Sequence, residues 1–160
     1  MQIIDHVVKA ASPGDRPIVD CVFLTWDARQ KSRQKLQTAT GKEVALALPT
    51  GTRLGAGDLL PIEEGWIEVH LAPEDVLLIR PRTLQETAFV AYQVGNRHLA
   101  LEITDDGLKT LYEPPLASYL RQQGIPVERA QLFFTPISAT SGHGHASSQE
   151  RRCHRSDGPS

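Results

Sequence analysis

Histidine and cysteine are placed in this chain in a pattern that suits metal coordination. Gly95-Asn-Arg-His98 falls where a predicted helix gives way to a predicted strand. Such a junction puts His98 at an edge of the fold, within reach of a ligand or partner. Near the C-terminus His143 and His145 are separated by one glycine, and Cys153-His154 follows. Neutral imidazole binds Ni²⁺, Zn²⁺ and Cu²⁺, and clustered His with Cys is a compositional metal signal. Each piece has a plain alternative. A histidine at a helix end also serves as a capping or packing residue, and His-Gly-His also arises in a polar tail with no ligand role.

An enzymatic site cannot be assembled from the remaining residues. There is no G-x-S-x-G elbow, P-loop, G-x-G-x-x-G or H-E-x-x-H. The acidic pairs Glu63-Glu64, Glu74-Asp75 and Asp105-Asp106 fall at predicted turns or element ends, where solvated carboxylates are common. Gly55-Ala-Gly57-Asp58 is glycine-rich, but no helix follows to present its N–H groups to a phosphate. The chain reads as a non-enzyme.

The elements that position these residues divide the chain in three. Residues 1–75 read as a β-rich domain. Asp20–Thr25, Lys42–Leu48 and Trp66–Leu71 are strands bounded by Gly and Pro turns, with Glu64-Gly65 as a hairpin turn. Short strands at this spacing suggest a small sandwich or barrel. Trp66, Glu68 and His70 share one face of the last strand, and Ile67, Val69 and Leu71 the other. Between the strands Arg29, Lys31, Arg33 and Lys35 alternate along Trp26–Leu36. They form either a basic docking strip for an acidic partner or a charged strand edge that discourages edge pairing.

Residues 76–137 follow another rhythm. A strand over Glu74–Ile79 precedes Thr83-Leu-Gln-Glu86, which fits a capping box. A helix follows with Leu84, Ala88, Ala91 and Val94 as its apolar stripe and Gly95 as its C-terminal cap. Strands at Leu99–Thr104 and Leu108–Glu113 flank an Asp105-Asp-Gly107 turn, a helix runs from Pro115 to Gln123, and Val127–Thr135 is the last strand. Strand, helix, strand, strand, helix, strand is the ferredoxin-like βαββαβ order. The fold class is therefore α+β: an all-β domain, a ferredoxin-like domain, and a disordered tail at 138–160 that lacks the apolar surface to offset its ordering entropy.

Composition narrows the partners. The chain has 160 residues, is 40% hydrophobic, and carries a formal net charge of −2 with a pI near 6.3. That gives no electrostatic case for nucleic acid. No apolar run approaches the roughly 18–20 residues of a membrane span, and no targeting signal is read at the N-terminus. With Cys21 in an apolar segment and Cys153 in a polar one, a disulfide between them is not expected; a reducing cytoplasm is the expected compartment.

Four stretches together resemble the urease accessory UreE family. Arg29–Leu36 resembles the family's basic segment before a turn, and Leu54-Gly-Ala-Gly-Asp58 resembles its L-x-x-G-D motif. Tyr92-Gln-Val-Gly-Asn-Arg-His98 is similar to its Y-x-x-G-N-R-H motif, the most specific of the four, and Phe134-Thr-Pro136 to its F-x-P ending. The resemblance implies a nickel metallochaperone. Its β domain would bind protein partners, and its ferredoxin-like domain would form a homodimer with His98 of both subunits at the interface. Tail histidines would add ligands, and an accessory GTPase would pass the nickel to apo-urease. The alternative from another class is a protein-binding adaptor in urease assembly, with metal binding secondary. This chain lacks the histidines some members carry before the second helix, where it has Leu111-Tyr-Glu-Pro-Pro115. It also has no polyhistidine tail, so a carrier of few ions is expected rather than a nickel store.

Overall fold

The computed structural model describes residues 1–10 and 12–137. The chain forms two compact units that divide between Ala72 and Pro73. The tail positions His143, His145, Cys153 and His154, and the expected disorder of that segment, lie outside the described residues.

The first unit is a small sandwich. One three-stranded sheet has the order β1 (Gln2–Ile4), β4 (Glu43–Ala47), β3 (Arg33–Gln37). The other has the order β2 (Ile18–Leu24), β6 (Gly65–Leu71), β5 (Leu59–Ile62). Strand alternation sends Ile4, Leu36, Val44 and Leu46 from the first sheet and Val22, Leu60, Ile67 and Val69 from the second into one core. Glu63 and Glu64 close the β5–β6 hairpin, with Ile62 opposite Gly65. Ile67 and Val69 are buried while Trp66, Glu68 and His70 share the other, partly exposed face, as the alternation predicts. Both β1–β4 and β2–β6 are parallel pairs: residue 2 meets residue 44, and residue 18 meets residue 66. The glycine-rich turn before β5 is a structural lock. Asp58, 3% exposed, accepts from the Ala10 N–H at 2.9 Å, the Gly55 N–H at 2.8 Å and Lys9 Nζ at 3.0 Å.

The segment Trp26–Leu36 is not one strand. Trp26–Gln30 forms a single helical turn, α1, started by Thr25, and β3 begins only at Arg33. The expectation that Arg29 lies on an exposed strip is therefore corrected. Its side chain turns inward, 3% exposed, and its guanidinium donates to the Leu24 carbonyl at 2.9 Å. Lys31 pairs with Asp27 across one helical turn at 2.7 Å.

The second unit is ferredoxin-like. Its sheet has the order β10 (Val127–Leu132), β7 (Glu74–Ile79), β9 (Gly107–Leu111), β8 (Glu102–Thr104), with every pairing antiparallel. Helices α2 (Leu84–Asn96) and α3 (Pro114–Gln122) cover one face, and Leu77, Ile79, Val90, Val94, Leu116 and Leu120 fill the space between. Asp105 and Asp106 close the β8–β9 hairpin. Gly107 is required at its exit: φ is +146°, and a Cβ there would strike the Ile79 carbonyl.

The start of α2 follows the capping box with one change. Thr83 Oγ1 accepts from the Glu86 N–H at 3.1 Å, but Glu86 reaches back to the N–H of Arg82 at 2.7 Å, one residue earlier than expected. The apolar stripe also differs. Leu84 is 85% exposed and Ala88 is exposed, whereas Val90 and Val94 are buried and Phe89 packs against the core. Thr87 is half-buried. Its hydroxyl donates to the Thr83 carbonyl at 2.9 Å, which satisfies the polar atom within the helix.

The last strand stops at Leu132, and residues 133–137 form a strap across the sheet face opposite the helices. Lys109 on that face donates to the Phe133 carbonyl at 3.2 Å, Glu102 accepts from the Thr135 N–H at 2.9 Å, and the Ile137 N–H reaches the Leu101 carbonyl at 2.8 Å. Phe134 is fully buried. Val76 and Leu78 alternate with the helix-facing Leu77 and Ile79, yet they too are 0% and 7% exposed.

Candidate metal centre

His98 owes its position to the way α2 ends. The helix runs past Gly95 to Asn96, with Arg97 as the C-cap. The His98 N–H donates to the Gly95 carbonyl at 3.0 Å, and the Leu99 N–H to the Val94 carbonyl at 3.2 Å. These two bonds make a Schellman motif, whose left-handed residue is usually glycine. Here that residue is His98, with φ +54°, the one non-glycine at positive φ among the described residues. The expectation that Gly95 caps the helix is thus corrected by three residues. Leu99, the next residue, packs with Val94 into the core and fixes the exit direction of the chain.

The result is an exposed imidazole at the carbonyl end of a helix. Partial negative charge collects there and favours a cation. Arg97 braces the turn from behind. Its Nη1 donates to Gln93 Oε1 at 3.0 Å, its Nε lies 3.9 Å from Glu113 Oε2, and its guanidinium carbon lies 5.5 Å from the Tyr119 ring centre. One side chain thereby ties the end of α2 to the start of α3.

The strap brings the chain back to this end of the unit. Ile137 is bonded to Leu101, three residues after His98 in the chain. No three His, Cys, Asp or Glu side chains converge to hold a metal among the described residues. Arg29, Lys31, Arg33 and Lys35 belong to the β unit, and His98 to the ferredoxin-like one. Within the described residues, no helix is long and apolar enough to cross a membrane.

Comparison with known proteins gives the same frame. The profile of the UreE urease accessory protein N-terminal domain matches residues 2–79, and that of its C-terminal domain matches residues 74–158. The urease accessory protein UreE of Burkholderia thailandensis is 42% identical over 123 residues, covering 76% of this chain and 58% of that protein. For the protein of the same name from Paraburkholderia xenovorans the identity is 40%, covering 76% of this chain and 55% of that protein. The counterpart in Burkholderia vietnamiensis is 42% identical, with 76% and 62% covered. The chain thus spans less than two thirds of these relatives' length. The family is one of accessory proteins rather than catalysts, and both of its domains are present in order. This chain belongs to the UreE urease accessory protein family.

Proposed function

We propose that this protein is a cytoplasmic nickel carrier in urease assembly, holding Ni²⁺ at a site shared by two copies of the chain. The observation that carries the reading is His98: an exposed imidazole held in a left-handed turn at the carbonyl end of a helix, where glycine would be less strained. One imidazole is too few donors to hold Ni²⁺ against water. A two-fold axis beside His98 supplies a second, since an isologous interface brings the same residue from each copy. The outward side of α2 supports that arrangement. Leu84, Ala88 and Tyr92 recur every fourth residue, exposed, on the helix that ends at His98.

Further donors come from His143, His145, Cys153 and His154. His143 lies six residues beyond Ile137, a reach of at most roughly 22 Å at about 3.3–3.6 Å each. Water in the remaining positions keeps the ion exchangeable, as a carrier requires. The ion is cargo, passed to apo-urease through an accessory GTPase. Zn²⁺ and Cu²⁺ compete in vitro, with copper favoured by the Irving–Williams order. The second reading, an adaptor whose β unit recruits partners, has its own support in the exposed Arg33 and Lys35 on β3.

Calorimetric titration with Ni²⁺ tests the carrier. The expected result is one tight ion per two chains, abolished in His98→Ala while the dimer survives on size-exclusion chromatography. One tight ion per chain, persisting in His98→Ala, would overturn the shared site and move the chemistry to the C-terminal segment.

A further inference from the structure

The outward face of the β1–β4–β3 sheet carries two cations that have no ion-pair partner among the described residues. Strand register builds it in rungs. Lys35, Ala45 and Ile3 lie side by side, Arg33 and Ala47 form the next rung, and Gln37 and Glu43 form the rung beyond Lys35. Their neighbours Leu36, Val44 and Leu46 point into the core, so these side chains point out. The floor is low, because two alanines occupy the central strand. Ile3 walls one side, 68% exposed. On the other side Arg33 and Lys35 are exposed, and neither has an ion-pair partner among the described residues. Lys31 and Lys42 differ in this, since Asp27 and Glu64 pair with them. Glu43 is a carboxylate on this face, at the end away from Arg33, and Asp5, which follows β1, is paired with His6 at 2.7 Å.

We infer that this face docks an extended segment of a partner protein in which carboxylate and apolar residues alternate. Arg33 and Lys35 are two residues apart on one strand, about 6.8 Å at ~3.4 Å per residue, which is also the spacing of alternate residues in an extended ligand. Two carboxylates so spaced meet both cations, and the Arg33 guanidinium can take one of them through two parallel hydrogen bonds. The small side chains of Ala45 and Ala47 let the segment's backbone approach the sheet, and its apolar residues settle on that floor against Ile3. This deepens the reading of the β unit as the partner-binding half of the molecule and rests on it. It is independent of the metal site.

The test uses the full chain and a fluorescein-labelled synthetic peptide alternating glutamate and leucine, followed by anisotropy, with Ni²⁺ titrated in parallel. Binding is expected to weaken by about tenfold or more in the double variant Arg33→Glu, Lys35→Glu, and to weaken on adding salt, as for surface charge pairs. A bulky Ala45→Trp is expected to block it as well. Arg121→Glu, which changes an equal exposed charge on α3 in the other unit, is expected to leave it intact, and a glutamine-for-glutamate peptide to fail. The inference is overturned by any of four results: no binding to the parent chain, binding that survives the double reversal, equal loss in Arg121→Glu, or an oligonucleotide of matching charge bound as tightly. Loss of nickel stoichiometry with peptide binding intact sinks the carrier reading alone. The converse sinks this inference alone.

Discussion

His98 holds a backbone conformation that a β-carbon makes costly. A non-glycine residue in the left-handed region gives up about 1 kcal/mol or more relative to glycine. His98→Gly is therefore expected to raise stability by about 1 kcal/mol in urea unfolding, while His98→Ala keeps the strain and gains nothing; both variants lose the tight Ni²⁺. Equal stability of the glycine and alanine variants would show that the turn is unstrained. Asp20 makes a contrasting case, a polar residue doing structural work in the β unit. Burial pushes its carboxyl upward, but hydrogen bonds from Thr38, Thr40 and the Cys21 N–H together outweigh that and hold it below its ordinary 3.8. A lowered carboxyl contributes stability that is complete above its unfolded-state value and lost as pH falls through the lower, folded-state one. The wild type should thus lose stability below about pH 4 with a component that Asp20→Asn lacks; the variant itself is expected to cost about 1–3 kcal/mol at neutral pH. Parallel acid-unfolding curves for the two proteins would exclude the role. At this scale the sequence was a partial guide. His98 was legible from its motif, but Gly95 drew the helix end to itself, because glycine is the usual left-handed cap. Arg29 gave no sign of turning inward, since its alternation with Lys31, Arg33 and Lys35 is the pattern an exposed strand would show.

Among the elements, strands were read well wherever burial alternates sharply, as in β6, and less well where a chain leaves the sheet. Val127–Thr135 reads as one strand because Phe133 and Phe134 continue its apolar character. Instead the strand ends at Leu132, and Phe134 is fully buried in the strap that follows. Non-local packing decided that, and no local pattern encodes it. Truncating Phe134 removes the one buried aromatic of the strap. Phe134→Ala is expected to cost about 3–5 kcal/mol, whereas ending the chain after Thr140 should leave the melting temperature unchanged. A small effect of Phe134→Ala, by calorimetry, would mean that the strap is ornamental to the fold. The misread stripe on α2 has a similar origin. Leu84 scores as core by hydropathy and sits 85% exposed, because the helix turns Val90 and Val94 inward instead.

The whole molecule joins a small β-sandwich to a ferredoxin-like unit, and the order of elements was enough to read both fold types. What periodicity could not reach was which helix face stays outside. Tyr92 is 64% exposed, on the side of α2 away from the buried Val90 and Val94. Tyr92→Arg is expected to leave the secondary structure and melting of the unit intact, to shift the protein to monomer on ultracentrifugation, and to weaken Ni²⁺ binding by about tenfold or more with His98 untouched. A stable dimer in this variant would place the two-fold axis elsewhere. The parallel pairings of the sandwich carry a different consequence, one of time. Strand β1 has its partner at residues 44–46, and β2 has its partner at 66–71. During synthesis β1 has nothing to pair with until residues 44–46 have left the ribosome, and β2 nothing until 66–71 have, near the end of the unit; in refolding each must close a long loop before any contact repays the lost entropy. The sandwich should therefore fold late and all at once, on a scale of milliseconds to seconds typical of non-local β topologies, with Ile18–Leu24 waiting as an unpartnered apolar strand in the interval.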